Sequence, residues 1–194
     1  MRIFLAGATG VIGVRLVPLL VSAGHEVAGL TRSPAKRETL FELGAQAVVG
    51  DVYDAAALRD AVVDLGPELV LHELTDLPDD LAKIGDGAAN ARIRREGTRN
   101  LLAAARAAEA PRFVAQSVAW ELPGPGAAAR DELEAAVLEV GGVVLRYGQF
   151  YGPGTYHATP PDPPRIQIDE AARRTVELLR APPGIVEVVE APGR

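Results

Sequence analysis

The sequence predicts an α/β fold, a doubly wound and mostly parallel sheet with helices on both faces. Short β-branched apolar segments alternate with helical ones along the chain. A turn carrying Gly7, Gly10 and Gly13 stands between the first apolar run and the first helix. The length, 194 residues, suits one well-buried core and is short for two. Alternation of this kind forces parallel strands, because right-handed crossovers place the helices on both faces of the sheet.

Each element follows from local pattern. Residues 2–6 form the first strand and 11–23 the first helix, closed by Gly24 at its C-terminal cap. The second strand is 26–30. Ser33 then caps a helix over 34–43, with Pro34 in its first turn and Gly44 as its stop. The third strand is 46–49, and Asp54 caps a helix over 55–64. The fourth strand, 69–72, leads through a long alanine-rich helix at 92–108 to a fifth strand at 112–116. A Gly-Pro loop at 123–126 precedes a helix over 127–140, and the sixth strand is 142–146. The chain closes on a helix at 170–180 and a strand at 185–189. The whole reads as one domain, 1–194. Within it 156–165 is a proline-rich bridge, its TPPDPPR segment unfit for helix or central strand, and 166–194 is a residual strand-helix-strand.

Composition narrows the function. A net charge of −6 argues against a nucleic-acid partner, since duplex binding rests on basic groups neutralising phosphates. The local cluster Arg92, Arg94, Arg95 and Arg99 reads as a solvated or subunit-facing surface. No run approaches the roughly 20 apolar residues that span a bilayer, so no membrane is expected. The N-terminal apolar run flows into the glycine turn, which marks a first strand and not a signal peptide. The chain has no cysteine, which fits a cytoplasmic location, and His25, His72 and His157 match no zinc spacing, so no metal is expected.

The glycine turn is a nucleotide cradle in this context. Gly7 and Gly10 leave room for a pyrophosphate, the amides around Thr9, Val11 and Ile12 face the anion, and Gly13 lets the helix pack close to the strand. Ligands on such sheets sit at the carboxyl ends of the strands, which adds Leu74 and Thr75 after the fourth strand. The end of the second strand sets the cofactor. It carries Thr31, Arg32 and Ser33, with Lys36 one turn on, and no acid to bond a free ribose hydroxyl. Arginine there favours a 2′-phosphate, hence NADP, with NAD the alternative. After the third strand, Asp51 is placed to bond the adenine amino group and Val52 to cover the ring.

These motifs, with GDV at 50–52, REGTRNLLAAA at 95–105, RFVAQS at 112–117 and VVLRYGQFYGPGT at 143–155, resemble the NAD(P)-dependent epimerase/dehydratase family of extended short-chain dehydrogenase/reductases. The resemblance implies a Rossmann fold and NAD(P)-dependent chemistry on an unspecified substrate. It also implies a tyrosine acid, a lysine four residues later, and a hydroxyl residue at the end of the fifth strand. Here Ser117 matches the hydroxyl position, but no tyrosine has a lysine four positions on. Aligning Glu134 with the family's acidic helix residue puts Arg130 at the lysine position and Gly126 at the tyrosine position. Arginine stays charged and is a poor proton donor. The remaining catalytic candidates are Ser117 and Tyr147, with Tyr151, His72, Asp76 and Glu121 as further conceivable acids. The family's substrate lobe is reduced to the proline-rich bridge. Two functions follow as expectations: an NADP-favouring oxidoreductase or epimerase without the usual Tyr-Lys pair, or a non-catalytic NADP-binding sensor. The family's mode of pairing implies a homodimer through the helices at 92–108 and 127–140.

Overall fold

The computed structural model describes residues 1–78, 80, 83 and 85–191. Nine strands are present among them: β1 (Arg2–Ala6), β2 (Glu26–Thr31), β3 (Gln46–Val49), β4 (Leu69–His72), β5 (Arg112–Val118), β6 (Val143–Tyr147), β7 (Gln149–Tyr151), β8 (Arg165–Gln167) and β9 (Gly184–Val188). The helices are α1 (Gly13–Ser22), α2 (Arg37–Glu42), α3 (Ala55–Leu65), α4 (Ala88–Arg92), α5 (Thr98–Ala107), α6 (Pro125–Glu139) and α7 (Ile168–Leu178).

Seven strands form one parallel sheet in the order β3-β2-β1-β4-β5-β6-β9. The reversal between β1 and β4 creates the crevice where a doubly wound sheet takes its ligand. Two apolar layers flank the sheet. Leu16, Leu20, Ile168 and Ala172 pack on one face, and Leu58, Leu101, Leu133 and Val137 on the other. The strands carry apolar residues on both faces, as parallel strands covered by helices must.

The sequence expectations shift in three places. The helix expected over 92–108 is α4, a π-helical turn at Ile93–Gly97, and α5. The helix expected over 34–43 is a 3₁₀ turn, Pro34–Lys36, followed by α2. Ser33 sits at its N-cap but its hydroxyl caps nothing; its amide instead donates to Thr31 Oγ1 at 3.2 Å. The proline-rich bridge is flanked by an unforeseen parallel pair, β7 with β8, and only then enters α7. The expected tail of the C-terminal unit, 192–194, lies outside the described residues.

Asp54 caps α3 as expected, its carboxylate accepting from the Ala57 amide at 3.1 Å. Arg15 on α1 fastens the C-terminal unit to the first helix. Its guanidinium donates to Asp169 at the start of α7 (2.7 Å), to the Pro153 carbonyl (2.5 Å) and to the Val11 carbonyl (2.7 Å). Among the described residues no helix is long and apolar enough to cross a membrane, and no His, Asp or Glu cluster has metal-holding geometry.

Candidate functional site

The glycine turn is shaped by contacts that no side chain tolerates. Gly7 has φ +95°, and a Cβ there would stand 2.6 Å from the Glu73 carbonyl oxygen. A Cβ on Gly13 would stand 2.1 Å from the Gly7 oxygen, so α1 packs against the turn's own backbone. At Gly10 the added carbon would meet only the Gly7 oxygen, at 3.2 Å, and otherwise face open space. The turn is closed by the Gly10 amide donating to the Gly7 carbonyl at 3.0 Å. Among the described residues the amides of Val11, Ile12 and Gly13 donate to no backbone acceptor outside the helix, and α1 directs its positive end the same way. Val11 is exposed at the rim, Thr9 half-buried, and Ile12 buried beneath. A pyrophosphate fits this cradle.

The adenosine side is built by β2, β3 and the loop after β4. Thr31 is buried, while Arg32 and Lys36 are exposed beyond it. The structure adds a residue to this group: Asp76, from the β4 loop, lies 3.7 Å from the Arg32 guanidinium. Asp51 is exposed and its carboxylate accepts from the Tyr53 amide at 3.0 Å, which fixes the turn into α3. Val52 is buried, and its carbonyl accepts from the Asn100 side chain at 2.9 Å. Leu74 is half-buried and Thr75 exposed. The Gln116 side chain donates to the Leu74 carbonyl at 2.7 Å. Two neutral amides, Asn100 and Gln116, thus pin the loops on either side of the crevice. Neither was singled out from sequence.

The catalytic candidates are less available. Ser117 is buried inside β5, and its hydroxyl donates to Glu134 on α6 at 2.5 Å. Glu134 also accepts from Arg146 at 2.9 and 2.5 Å, and Arg146, Ser117 and Arg130 hold its carboxyl below the usual range against the cost of burial. Arg130 donates to the Trp120 carbonyl at 3.3 Å and pairs with Asp131 at 2.9 Å. Glu121 is almost fully exposed, 3.9 Å from Arg130. Tyr151 donates to Glu190.

His72 is wholly buried. Its Nδ1 accepts from the Leu74 amide at 3.2 Å, which leaves Nε2 to carry the proton shared with Thr98 Oγ1 at 3.0 Å. Burial, with the nearby Arg94 charge, pushes its pKa down to about 4. It is a neutral structural histidine across the physiological range.

Tyr147 lies on the other face of the sheet, 2% exposed, in a buried polar group that joins β4, β6 and α7. Its hydroxyl is 3.1 Å from Glu73 Oε1 and 2.6 Å from Thr175 Oγ1, and Thr175 donates its own proton to the Ala171 carbonyl at 2.8 Å. One phenolic proton serves only one of its two neighbours. A protonated Glu73 fills the second contact, and burial indeed pushes the Glu73 carboxyl up to about 8. Burial and Glu73 together raise the Tyr147 hydroxyl well above its ordinary value. Glu73 Oε2 is buried and, among the described residues, without a partner. The only sequence signal for this group was an acid, Glu73, set directly after the apolar run of β4.

A parallel sheet in this order, with a glycine cradle at its switch point, defines a dinucleotide-binding protein of the Rossmann class. The chain belongs to the NAD(P)H-binding family, whose model matches residues 7–139. A 3-diazoavenalumate denitrifying reductase from a Streptomyces species is 40% identical over 185 residues. That match covers 81% of this chain but 59% of the relative, so the chain spans about three-fifths of that protein's length. In fold it is similar to the UDP-glucose 4-epimerase of Thermus thermophilus, solved with NAD. The TM-score is 0.82 at 23% identity, covering 100% of this chain and 79% of that one. It is likewise similar to the UDP-glucuronic acid 4-epimerase of Bacillus cereus, solved with UDP-glucuronic acid and NAD, with a TM-score of 0.77 at 18% identity, covering 99% and 78% of the two chains. The family and the fold bear out the resemblance to extended short-chain dehydrogenase/reductases, and the cofactor is a nicotinamide dinucleotide.

Proposed function

We propose that this protein is an NADPH-dependent reductase whose hydride step draws no proton from a protein tyrosine. One observation carries the reading: the phosphate cradle is complete, whereas the position of the usual tyrosine holds Gly126 and the hydroxyl position, Ser117, is closed into a network with Glu134 and Arg146. Gly7, Gly10, Gly13 and the first amides of α1 hold the pyrophosphate, Asp51 and Val52 the adenine, and Arg32 the 2′-phosphate. Bound there, the cofactor supplies hydride, and hydride delivered to a carbon bearing a diazonium group replaces dinitrogen without any proton from the protein. The name of the Streptomyces relative supports that substrate class, since it describes reductive removal of nitrogen from a diazo carboxylate. Asn100 and Gln116 keep the crevice in shape while Thr31 and His72 remain neutral beside it.

The test is NADPH consumption with carboxybenzenediazonium against a panel of ketones and aldehydes, each corrected for the reaction without protein. Protein-dependent consumption with release of dinitrogen is expected for the diazonium alone. No turnover with any substrate, despite saturable NADPH binding, would overturn the reductase reading in favour of a cofactor-binding sensor.

The 2′-phosphate assignment has its own test. Arg32→Ala should weaken NADPH about tenfold or more, the loss of one charge-assisted contact, and leave NADH within about twofold. Calorimetric titration with both cofactors measures this. Equal losses for the two would remove Arg32 from the phosphate site.

A further inference from the structure

The end of β2 carries no acid of its own, yet the fold brings one to it. β2 and β4 both neighbour β1, so the segments that follow them stand on either side of the glycine turn. Arg32 comes from the first segment and Asp76 from the second, and guanidinium and carboxylate meet 3.7 Å apart. The Asp76 backbone is firmly held. Its amide donates to the Asn90 side chain at 3.1 Å, and Asn90 is itself buried on α4. Two residues earlier, the Leu74 carbonyl accepts from Gln116 and the Leu74 amide donates to His72.

The Asp76 carboxylate keeps its capacity to accept. At 3.7 Å its contact with Arg32 is longer than a hydrogen bond, and with side chains 58% and 32% exposed the pair is a weak one that a ligand can exchange. Tyr53 packs under Arg92, the guanidinium 3.9 Å from its ring centre, and Asp76 and Arg32 act on its phenol. That hydroxyl is buried and, among the described residues, donates to nothing, Asp76 included.

We propose that Asp76 sets the choice between the two dinucleotides: its carboxylate accepts from the free 2′-hydroxyl of NADH and opposes the 2′-phosphate of NADPH on Arg32. The proposal rests on the reading above that places Arg32 at the 2′-position. A carboxylate is the partner a free ribose hydroxyl calls for, and here it arrives from the β4 loop instead of the end of β2. A 2′-phosphate carries about two negative charges at neutral pH, so on this guanidinium it meets the attraction of Arg32 and the repulsion of Asp76 together. The site then takes both cofactors, with a smaller preference for NADPH than Arg32 alone would give.

Calorimetric titration of the full chain with NADPH and NADH, on the wild type, Asp76→Asn and Asp76→Ala, tests this. Asp76→Asn removes the charge and keeps the shape. It should tighten NADPH about threefold or more and weaken NADH about threefold or more, which moves the ratio of the two dissociation constants about tenfold. Asp76→Ala should move the ratio the same way and weaken NADH further, because the acceptor itself is lost. The gain for NADPH should shrink at high salt, since it comes from relieved repulsion between partly exposed charges. The melting temperature without cofactor should stay near that of the wild type. A ratio unmoved in both variants overturns the proposal and marks Asp76 as a support of its loop. With Arg32→Ala still costing NADPH alone, that result leaves the 2′-phosphate reading standing. Equal losses of both cofactors in Arg32→Ala overturn that reading and the proposal with it.

Discussion

Gly13→Ala is expected to abolish cofactor binding and to destabilise the fold. The added carbon would stand 2.1 Å from the Gly7 oxygen and 2.7 Å from the Ala8 carbonyl carbon, both backbone atoms of the turn itself. No side chain can rotate away to relieve the clash. The helix must back off from the turn, and its first amides move away from the position where a pyrophosphate would lie. Overpacking of this kind costs about 1–3 kcal/mol or more. The NADPH dissociation constant should rise by about a hundredfold or more, since several backbone contacts to a charged group are lost together. Gly10→Ala makes the informative contrast, because its carbon meets only one atom at 3.2 Å and fills space that is open. It should weaken NADPH with little change in melting temperature. If Gly13→Ala bound NADPH as the wild type does, the close approach of α1 to the turn backbone would have no part in holding the cofactor.

Glu73→Gln is expected to change how stability depends on pH. The folded chain holds the Glu73 carboxyl at about 8, against an ordinary 4.5 when unfolded. Between those values the unfolded chain gives up this proton and the folded chain keeps it. The contribution of Glu73 is therefore fully present below 4.5 and is lost as pH rises to 8. At about 1.4 kcal/mol per pH unit the loss is on the order of 5 kcal/mol. Glutamine stays neutral and can donate its amide to Tyr147 in place of the carboxylic proton. Urea unfolding at about pH 5, 7 and 9 should show the wild type losing stability while the variant loses much less. The variant should be the more stable of the two at the highest pH. Parallel profiles would mean that Glu73 ionises normally in the folded protein.

Much of the fold is readable from the sequence because its elements carry their own periodicity. β1 and the glycine turn are bounded by a change from continuous apolar residues to glycine, and β4 ends where Glu73 interrupts the run. The π turn at Ile93–Gly97 escapes such reading, since one extra residue in a turn hardly alters apolar spacing. β7 and β8 are three residues each, too short to show a period of two, and they pair across the proline segment. In the site, the glycines are legible because their backbone demands are local. Asp76 beside Arg32, and Thr175 beside Tyr147 and Glu73, are contacts between distant segments, which no spacing reveals. Arg94 belongs to an arginine run that reads as a solvated surface, and only the packing of α6 over it separates it from its exposed neighbours.

The pairing of β9 with β6 has a consequence for synthesis. β6 is complete long before β9 leaves the ribosome, and its outer edge offers unpaired backbone donors and acceptors along an apolar strand. During that interval the growing chain is a template for any other extended segment nearby. The danger ends only when α7 crosses back over the sheet and delivers β9 to the open edge. A ribosome stalled between these two elements would release a polypeptide already able to fold its nucleotide cradle, yet prone to aggregate through β6.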